Sequence, residues 1–277
     1  MAFAAIPAAD ILLVRDAIRD FAQTDPLKAK VLDFGCGRGA LVDGLCELGV
    51  DAYGCDVDPY WEGDKPRLRP IERTNYRIPY GDNSFDLVCS TSVFEHAQNI
   101  RECFYEIKRV LKPGGVALHI YPGKWYLPTE PHIYVPLVNF MWPNQPRWWL
   151  ALWAMMGVRN EFQRELSWRQ VTEANWQYCR AGLCYPRQSF FRDVSMEVFG
   201  NCDWPMQYLL SKTDGGVASL YQRLPLKGLI AWLAQRTRMA LLVQRKLASH
   251  VENKAYDEPR RNREQEGDEH IFQCAAR

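Results

Sequence analysis

Val31-Leu-Asp-Phe-Gly-Cys-Gly-Arg-Gly-Ala40 joins an apolar strand to three glycines at alternate positions. Gly35, Gly37 and Gly39 lack a Cβ atom, so the backbone there can turn sharply and a ligand can approach it closely. Apolar residues recur at helical spacing after Ala40, which predicts a helix whose free N–H groups point back at the loop. The stretch therefore predicts a ligand-binding loop between a strand and a helix.

Asp33 helps to distinguish between two ligands that such a loop can hold. Gly35-x-Gly37 followed by Ala40 loosely matches the dinucleotide fingerprint, in which the loop cradles a pyrophosphate. A carboxylate at the strand end would repel a pyrophosphate, but it would attract the sulfonium and ammonium groups of S-adenosylmethionine. Asp56 follows a second apolar strand about 20 residues later, as expected of an acid that binds ribose hydroxyls. These residues favour S-adenosylmethionine over NAD.

Three further segments follow the loop. They are Ile78–Val88 (IPYGDNSFDLV), Ser90–His96 (STSVFEH) and Glu106–Gly115 (EIKRVLKPGG). Together with the glycine loop they resemble, over about 90 residues, the class I S-adenosylmethionine-dependent methyltransferases, specifically the type 11 group. The resemblance implies an α/β fold with a Rossmann-like seven-stranded sheet, S-adenosyl-L-methionine as cofactor, and methyl transfer as the activity.

The loop and the strand ends supply the predicted cofactor contacts. These are Asp33, Gly35, Cys36, Gly37, Gly39, Asp56, Val57, Asn75 and Ser90. Cys36 is expected to be a small residue of the loop and not a nucleophile. Methyl transfer mainly requires alignment of the reactants and, for some acceptors, a base. His132 and then His96 are the candidate bases, although hydrogen bonds that merely stabilise their loops explain both histidines as well.

Alternating apolar segments predict the strands and helices of a parallel sheet. The predicted strands are 30–34, 50–55, 71–76, 85–90 and 116–121, and the predicted helices are 10–22, 40–48 and 98–111. The resemblance implies that 238–246 forms a closing antiparallel strand. The segment between Asp56 and the fourth strand is short, so a full helix is not expected there.

Composition divides the chain into four parts. Residues 1–120 form the cofactor-binding half, and 121–204 hold eight of the ten tryptophans, which predicts an aromatic-rich substrate or lid insertion after strand five. Residues 205–247 supply the closing helix and strand. Residues 248–277 are rich in charges of both signs, which predicts a mobile tail or a solvated helix.

Charge and cysteine usage limit the partners and the compartment. The formal net charge is +1 and the cofactor half has no basic block, so binding to nucleic acid is not expected. Nine cysteines without a CxxC pair favour a reducing cytoplasm. The apolar runs 148–156 and 224–243 are too short or too interrupted by charge to span a bilayer, whereas peripheral membrane contact stays open.

The predicted function is methyl transfer to a small or carrier-linked acceptor, with oxygen as the expected acceptor atom. A tRNA methyltransferase would share every cofactor motif but would need a basic surface that tracks phosphates. An NAD-dependent oxidoreductase fits the glycines and leaves Asp33 unexplained.

Overall fold

The computed structural model describes residues 8–58, 60–72 and 76–247, and these residues form a six-stranded sheet in the order β3-β2-β1-β4-β5-β6. The strands are β1 (Lys30–Phe34), β2 (Asp51–Asp56), β3 (Leu68–Pro70), β4 (Phe85–Thr91), β5 (Leu111–Pro122) and β6 (Met239–Arg245). β1 to β5 run parallel and β6 is antiparallel to β5. The strand order reverses between the parallel strands β1 and β4. At such a point, open α/β sheets form a ligand crevice at the carboxyl ends of the strands.

Helices cover both faces of this sheet. They are α1 (Ala8–Asp20), α2 (Ala40–Glu47), α3 (Ile100–Val110), α4 (Val138–Met141), α5 (Arg147–Met155), α6 (Trp168–Ala181), α7 (Gln188–Phe199), α8 (Met206–Lys212), α9 (Gly216–Arg223) and α10 (Lys227–Thr237). None of the helices in the described segments is both long and apolar enough to cross a membrane.

Strand β4 shows how the two faces are built. Leu87 and Cys89 belong to one apolar cluster with residues of α1, α2, α8 and α10, whereas Val88 belongs to a second cluster with α3, α7 and the insertion. Because both faces are buried, the central strands read as nearly continuous apolar runs. The fold therefore has three layers, with the sheet in the middle.

A buried ion pair on α3 holds the segment that precedes β4. Arg109 donates to Glu106 at 2.7 Å and to the carbonyl oxygens of Ile78 at 2.8 Å and Tyr80 at 3.0 Å. Glu106 in turn accepts the backbone N–H of Ile78 at 3.0 Å. The Glu-x-x-Arg pattern of the sequence thus fixes the loop 77–82 against the helix.

The predicted third strand is wrong in its position. It was expected at 71–76, and the strand beside β2 is Leu68–Pro70, which pairs with Gly54 to Asp56. β2 ends at Asp56, so the chain beyond Ile71 has no strand to pair with. The short segment after Asp56 contains no helix among its described residues, as expected.

The predicted count of seven strands is also wrong for the described residues, which form six. β6 pairs directly with β5 over 116–122, so no further strand lies between the two. The chain between β5 and β6 forms helices and loops, and seven prolines within 122–186 would interrupt a strand ladder. Strand five begins at Leu111, five residues earlier than predicted.

The segment that follows β5 supplies α4 to α7 and packs on the α3 face. Trp142 is buried and donates its indole N–H to the Leu183 carbonyl at 2.9 Å, and Trp149 donates to the Pro136 carbonyl at 2.7 Å. Many of the aromatic residues therefore form a core for this insertion. Three helices, α8 to α10, precede the closing strand where one was expected, and the charged tail 248–277 lies outside the described residues.

Candidate active site

The glycine loop is fastened to the end of β2. Gly35 donates its backbone N–H to the Cys55 carbonyl at 2.8 Å, and Gly37 donates to the Asp56 carboxylate at 2.7 Å. A Cβ atom on Gly35 would lie 2.3 Å from the Val93 side chain, whereas one on Gly37 would meet nothing within 4 Å. Gly37, with φ of +53°, therefore presents bare backbone to open space at the crevice.

The other predicted loop residues support this turn. Cys36 is buried beside Gly54, and burial raises the pKa of its thiol, so Cys36 packs the loop and is not a nucleophile. Gly39 has a φ of +82° and is the N-cap residue of α2. Val57 is half-buried against the core.

Two buried carboxylates lie at the carboxyl ends of the neighbouring strands β1 and β2. Asp33 is 5% exposed and Asp56 is 9% exposed. Burial and the charge of Asp56 raise the pKa of Asp33 to about 7, and burial also raises the pKa of Asp56. Asp56 accepts the N–H groups of Gly37 and Asp58, but within the described part of the chain the Asp33 carboxylate has no hydrogen bond.

This donor set fits S-adenosylmethionine. Two buried acids side by side are more stable next to a positive ligand, and the ammonium and sulfonium groups supply that charge. The open space over Gly37 leaves room for the ligand backbone, and Asp56 keeps lone pairs that can accept ribose hydroxyls. A pyrophosphate would add negative charge to an already acidic crevice.

Ser90 and Asn75 complete the predicted cofactor set. The Ser90 hydroxyl lies 2.8 Å from Nδ1 of His119, and both residues are buried in the α3 layer. Burial lowers the pKa of His119 to about 3, so His119 is neutral there. The Ser90 hydroxyl is thus committed to the core, which leaves only its backbone for a ligand, and Asn75 lies outside the described residues.

A tight turn after β4 lies against the glycine loop. Ser92 has a φ of +56° and donates to the Ile120 carbonyl at 2.8 Å, and His96 donates its N–H to the Val93 carbonyl at 2.9 Å. Val93 packs on Gly35. The turn does not begin α3, which starts at Ile100, and it carries Glu95 and His96 to the side of the cofactor crevice.

His96 and His132 meet, although 36 residues separate them in the chain. Their Nε2 atoms are 3.2 Å apart, His96 Nδ1 lies 2.7 Å from the Gly182 carbonyl, and His132 Nδ1 lies 2.8 Å from Glu130. A carbonyl can only accept, so the hydrogen-bond network assigns the proton to Nδ1 of His96, and the Glu130 carboxylate favours the same tautomer for His132. In the neutral pair the two Nε2 lone pairs face each other, and a proton taken up by either ring lies between them.

Glu130 orients His132 from a fully buried position. Its carboxylate accepts the backbone N–H groups of His132 at 2.7 Å and Ile133 at 2.8 Å, and the Tyr185 hydroxyl at 2.9 Å. Burial lowers the pKa of His132, but the hydrogen bond and charge of Glu130 outweigh it, so the pKa of His132 stands above its ordinary value. The same pairing holds the pKa of Glu130 below its ordinary value despite burial.

Glu95 adds a second acid to this cluster. It is 1% exposed, and burial raises its pKa to about 8. Ser92 is close to the carboxylate, but neither carboxylate oxygen reaches hydrogen-bond geometry with a described residue. Both histidines were predicted as site residues, whereas the roles of Glu95 and Tyr185 were missed. The only sequence signal for Glu95 was its place beside His96.

Comparison with known proteins matches the same part of the chain. The methyltransferase domain family (Methyltransf_11) matches residues 32–119. A sterol 24-C-methyltransferase of Gibberella zeae is 33% identical over 98 residues, which are 31% of this chain and 26% of that protein. A ubiquinone biosynthesis O-methyltransferase of Roseobacter denitrificans is 31% identical over 110 residues, which are 35% of this chain and 43% of that protein.

The solved structure of an S-adenosylmethionine-dependent methyltransferase from Mesorhizobium loti has the same fold. Its TM-score is 0.50 at 14% sequence identity, and the alignment covers 87% of this chain and 100% of that one. This chain spans less than half the length of the two curated relatives, and residues 32–119 include the cofactor crevice but not His132. With this match and this fold, residues 32–119 are a methyltransferase domain of the Methyltransf_11 family, within a chain that has the fold of the class I S-adenosylmethionine-dependent methyltransferases.

Proposed function

We propose that this chain transfers the methyl group of S-adenosylmethionine to an oxygen atom of a small or carrier-linked molecule. The observation that carries the proposal is the contact between Gly35 and Val93, because it joins the acidic cofactor crevice to the turn that bears His96. The carboxyl ends of the strands thus offer a site for the methyl donor beside the pair His96 and His132, which can accept a proton.

Three residues hold the donor in this proposal. Asp33 binds the ammonium group, Asp56 binds the ribose hydroxyls, and the backbone of Gly37 lies under the ligand. S-adenosylmethionine, when bound, supplies a methyl group whose bond to sulfur breaks as the bond to the acceptor forms, with the electron pair staying on sulfur. The remaining work of the chain is to align the acceptor with that methyl group.

The histidine pair serves the acceptor. A neutral hydroxyl must lose its proton during methyl transfer, and the facing Nε2 atoms of His96 and His132 are placed to bind the hydroxyl and take that proton. Glu130 is a positioning residue that keeps His132 in the required tautomer. One relative is named as an O-methyltransferase and another as a C-methyltransferase, so the choice of oxygen rests on the histidines.

The acceptor class is argued from the insertion and from charge. The segment 121–204 packs over the α3 face and contributes His132 to the cluster, which supports a role in acceptor specificity. A tRNA acceptor is the weaker alternative because the net charge is only +1. The cytoplasmic location predicted from cysteine usage stays a prediction.

We also propose that α10 contacts a membrane surface. Leu226, Leu229, Trp232 and Leu233 are 61%, 52%, 51% and 44% exposed. Residues 216–246 contain six lysines and arginines and no acid. Exposed apolar groups next to cations are suited to the interface of an anionic bilayer.

Calorimetric titration with S-adenosylmethionine, S-adenosylhomocysteine and NAD in parallel tests the donor. We expect micromolar binding of the first two and none of NAD, and binding of NAD alone would refute the proposal. Incubation with methyl-labelled S-adenosylmethionine and a panel of phenols, sugars, amines and thiols then tests the acceptor atom. Label that appears only on nitrogen or sulfur would refute the choice of oxygen.

A further inference from the structure

We propose that Glu95, His96 and His132 bind one divalent transition-metal ion, such as Zn²⁺ or Mn²⁺, at the acceptor side of the crevice. One carboxylate oxygen and two imidazole nitrogens, all ligand atoms, lie within 4.8 Å of one another. Two histidines and one carboxylate form a ligand set that leaves coordination positions open for other molecules.

The separation of the imidazole nitrogens fits a shared ion. The two Nε2 atoms are 3.2 Å apart. Bonds of about 2.0 to 2.1 Å to one ion place two adjacent ligand nitrogens about 2.9 to 3.4 Å apart. The same bond lengths allow two ligand atoms of one ion to be at most about 4.2 Å apart, so the three groups, which lie within 4.8 Å of one another, have to draw together around the ion.

The groups behind the ligands are those that metal sites use. A ligating histidine ordinarily donates its second N–H to a carboxylate or a backbone carbonyl. His132 lies 2.8 Å from Glu130 through Nδ1, and His96 lies 2.7 Å from the Gly182 carbonyl through Nδ1. With Nδ1 engaged in both rings, Nε2 is the atom that each ring presents to the other and to a shared ion.

Glu95 supplies the independent observation. Its carboxylate is buried, and neither oxygen has a hydrogen-bond partner in the described segments. An unpartnered buried carboxylate is costly, and a cation beside it removes that cost. The position between Glu95 and the two Nε2 atoms therefore favours a positive charge, and in this proposal a metal ion supplies it.

The role of the ion in methyl transfer rests on the proposed function, whereas its binding does not. With the ion in place, the histidines are ligands and not proton acceptors. The charge of the ion lowers the pKa of a coordinated hydroxyl, whose proton leaves to solvent, and the oxygen then takes the methyl carbon while the carbon–sulfur electron pair stays on sulfur. The site thus selects acceptors that carry a hydroxyl able to reach the ion.

Metal content and Co²⁺ spectroscopy test the site directly. The full chain is stripped with chelator, dialysed against Zn²⁺, Mn²⁺ or Mg²⁺, and its metal content is measured by mass spectrometry. We expect one equivalent of Zn²⁺ or Mn²⁺ and weaker binding of Mg²⁺, because imidazole nitrogen prefers transition metals. Absence of stoichiometric metal would overturn the proposal, as would a thiolate-to-Co²⁺ charge-transfer band, which places the ion on cysteine.

Variants locate the ion. His132→Ala and Glu95→Gln should abolish stoichiometric binding, and Glu130→Gln should weaken binding about 10- to 100-fold because Glu130 only positions a ligand. The control is the double variant His250→Ala/His270→Ala, which should bind like the wild type; loss of metal there would move the site to 248–277 and refute the proposal. If His132→Ala does not fold, the Co²⁺ spectrum of the wild type still decides between imidazole and thiolate ligands.

Binding of S-adenosylhomocysteine is measured on the same metal-free and loaded samples. Metal binding without binding of the nucleoside would uphold the metal site and refute the proposed function. If the protein binds S-adenosylhomocysteine but takes up no stoichiometric metal, the metal site is refuted and the proposed cofactor site is upheld.

Discussion

Asp33, the proposed partner of the ammonium group, carries a cost to the ligand-free protein. Its carboxylate is buried beside Asp56 without a hydrogen bond from the described residues, and its pKa is raised to about 7. The unfolded chain, where the pKa is 3.8, loses this proton more readily than the folded chain. The contribution of Asp33 to stability is therefore retained below about pH 4 and declines as the pH rises towards 7.

Asp33→Asn should consequently stabilise the ligand-free protein at neutral pH. We expect the melting temperature at pH 8 to rise by roughly 5 °C, with little change at about pH 3, where the wild-type carboxyl is mostly protonated in both states. Thermal melts of both proteins across this pH range measure the difference. A variant that is less stable than the wild type at pH 8 would show that the buried charge is compensated.

The same substitution should weaken the binding of S-adenosylhomocysteine. Loss of a charged acceptor costs about 1.5 to 3 kcal/mol, which is roughly 10- to 150-fold in Kd, and we expect a similar loss for Asp56→Ala. The matched control is Asp86→Asn. Asp86 is an acid on the neighbouring strand that accepts Lys30 N–H at 2.8 Å and Lys112 at 2.7 Å, so this change should lower stability and leave the affinity intact. Affinities are measured by calorimetry for the wild type and the three variants. Equal affinity in all four proteins would show that neither Asp33 nor Asp56 binds the ligand.

At the scale of elements, α3 is tied to the loop 77–82 through Arg109 and Glu106. Both side chains are almost buried, at 7% and 2% exposure. Removal of Arg109 takes the closest cation from the buried Glu106 carboxylate, which also pairs with exposed Arg77 at 3.8 Å, and it takes a donor from the Ile78 carbonyl. The loop before β4 therefore depends on one guanidinium group.

Arg109→Ala should lower the free energy of unfolding by about 3 to 5 kcal/mol. Arg101→Ala is the control, because Arg101 pairs with Glu197 at the surface and should contribute at most about 1 kcal/mol. Urea titrations of the two variants compare the effects. Similar losses in both would mean that burial adds nothing to the Arg109 ion pair.

The sequence predicts the central strands well because their continuous apolar pattern matches their burial on both faces of the sheet. β1, β2 and β4 are apolar runs buried on both faces, and the acids at the ends of β1 and β2 converge because parallel strands end at one edge. β3 reads Leu-Arg-Pro and is set by pairing with β2, not by an apolar pattern of its own. The histidine cluster depends on partners near residues 95, 130 and 182, a long-range arrangement that local spacing does not encode.

At the scale of the whole molecule, the cofactor crevice and α10 lie on different surfaces. The cofactor crevice lies at the carboxyl ends of the parallel strands, whereas α10 packs on the face formed by α1, α2 and α8. The outer side of α10 is apolar and basic, and Arg236 stacks on Trp232 at 4.0 Å. This arrangement allows membrane contact without a spanning helix.

We expect the chain to co-sediment with vesicles of phosphatidylserine and phosphatidylcholine, and less with phosphatidylcholine alone. Leu229→Ala/Trp232→Ala should reduce this binding at least about tenfold, because two large apolar groups no longer enter the interface. Trp148→Ala is the control, since Trp148 is 65% exposed on α5 and carries no role in the proposed contact. Equal binding by all three proteins would argue against α10.

The short segment 182–185, which follows α6, makes hydrogen bonds to four other parts of the molecule. Gly182 accepts from His96, Leu183 accepts from Trp142, Cys184 donates to the Glu95 carbonyl at 2.6 Å, and Tyr185 donates to Glu130. The insertion that contains this segment therefore cannot be exchanged without loss of these hydrogen bonds. A grafted insertion from another member of the fold would discard the supports of the histidines, so an exchange of this segment would also change the arrangement of the histidine cluster.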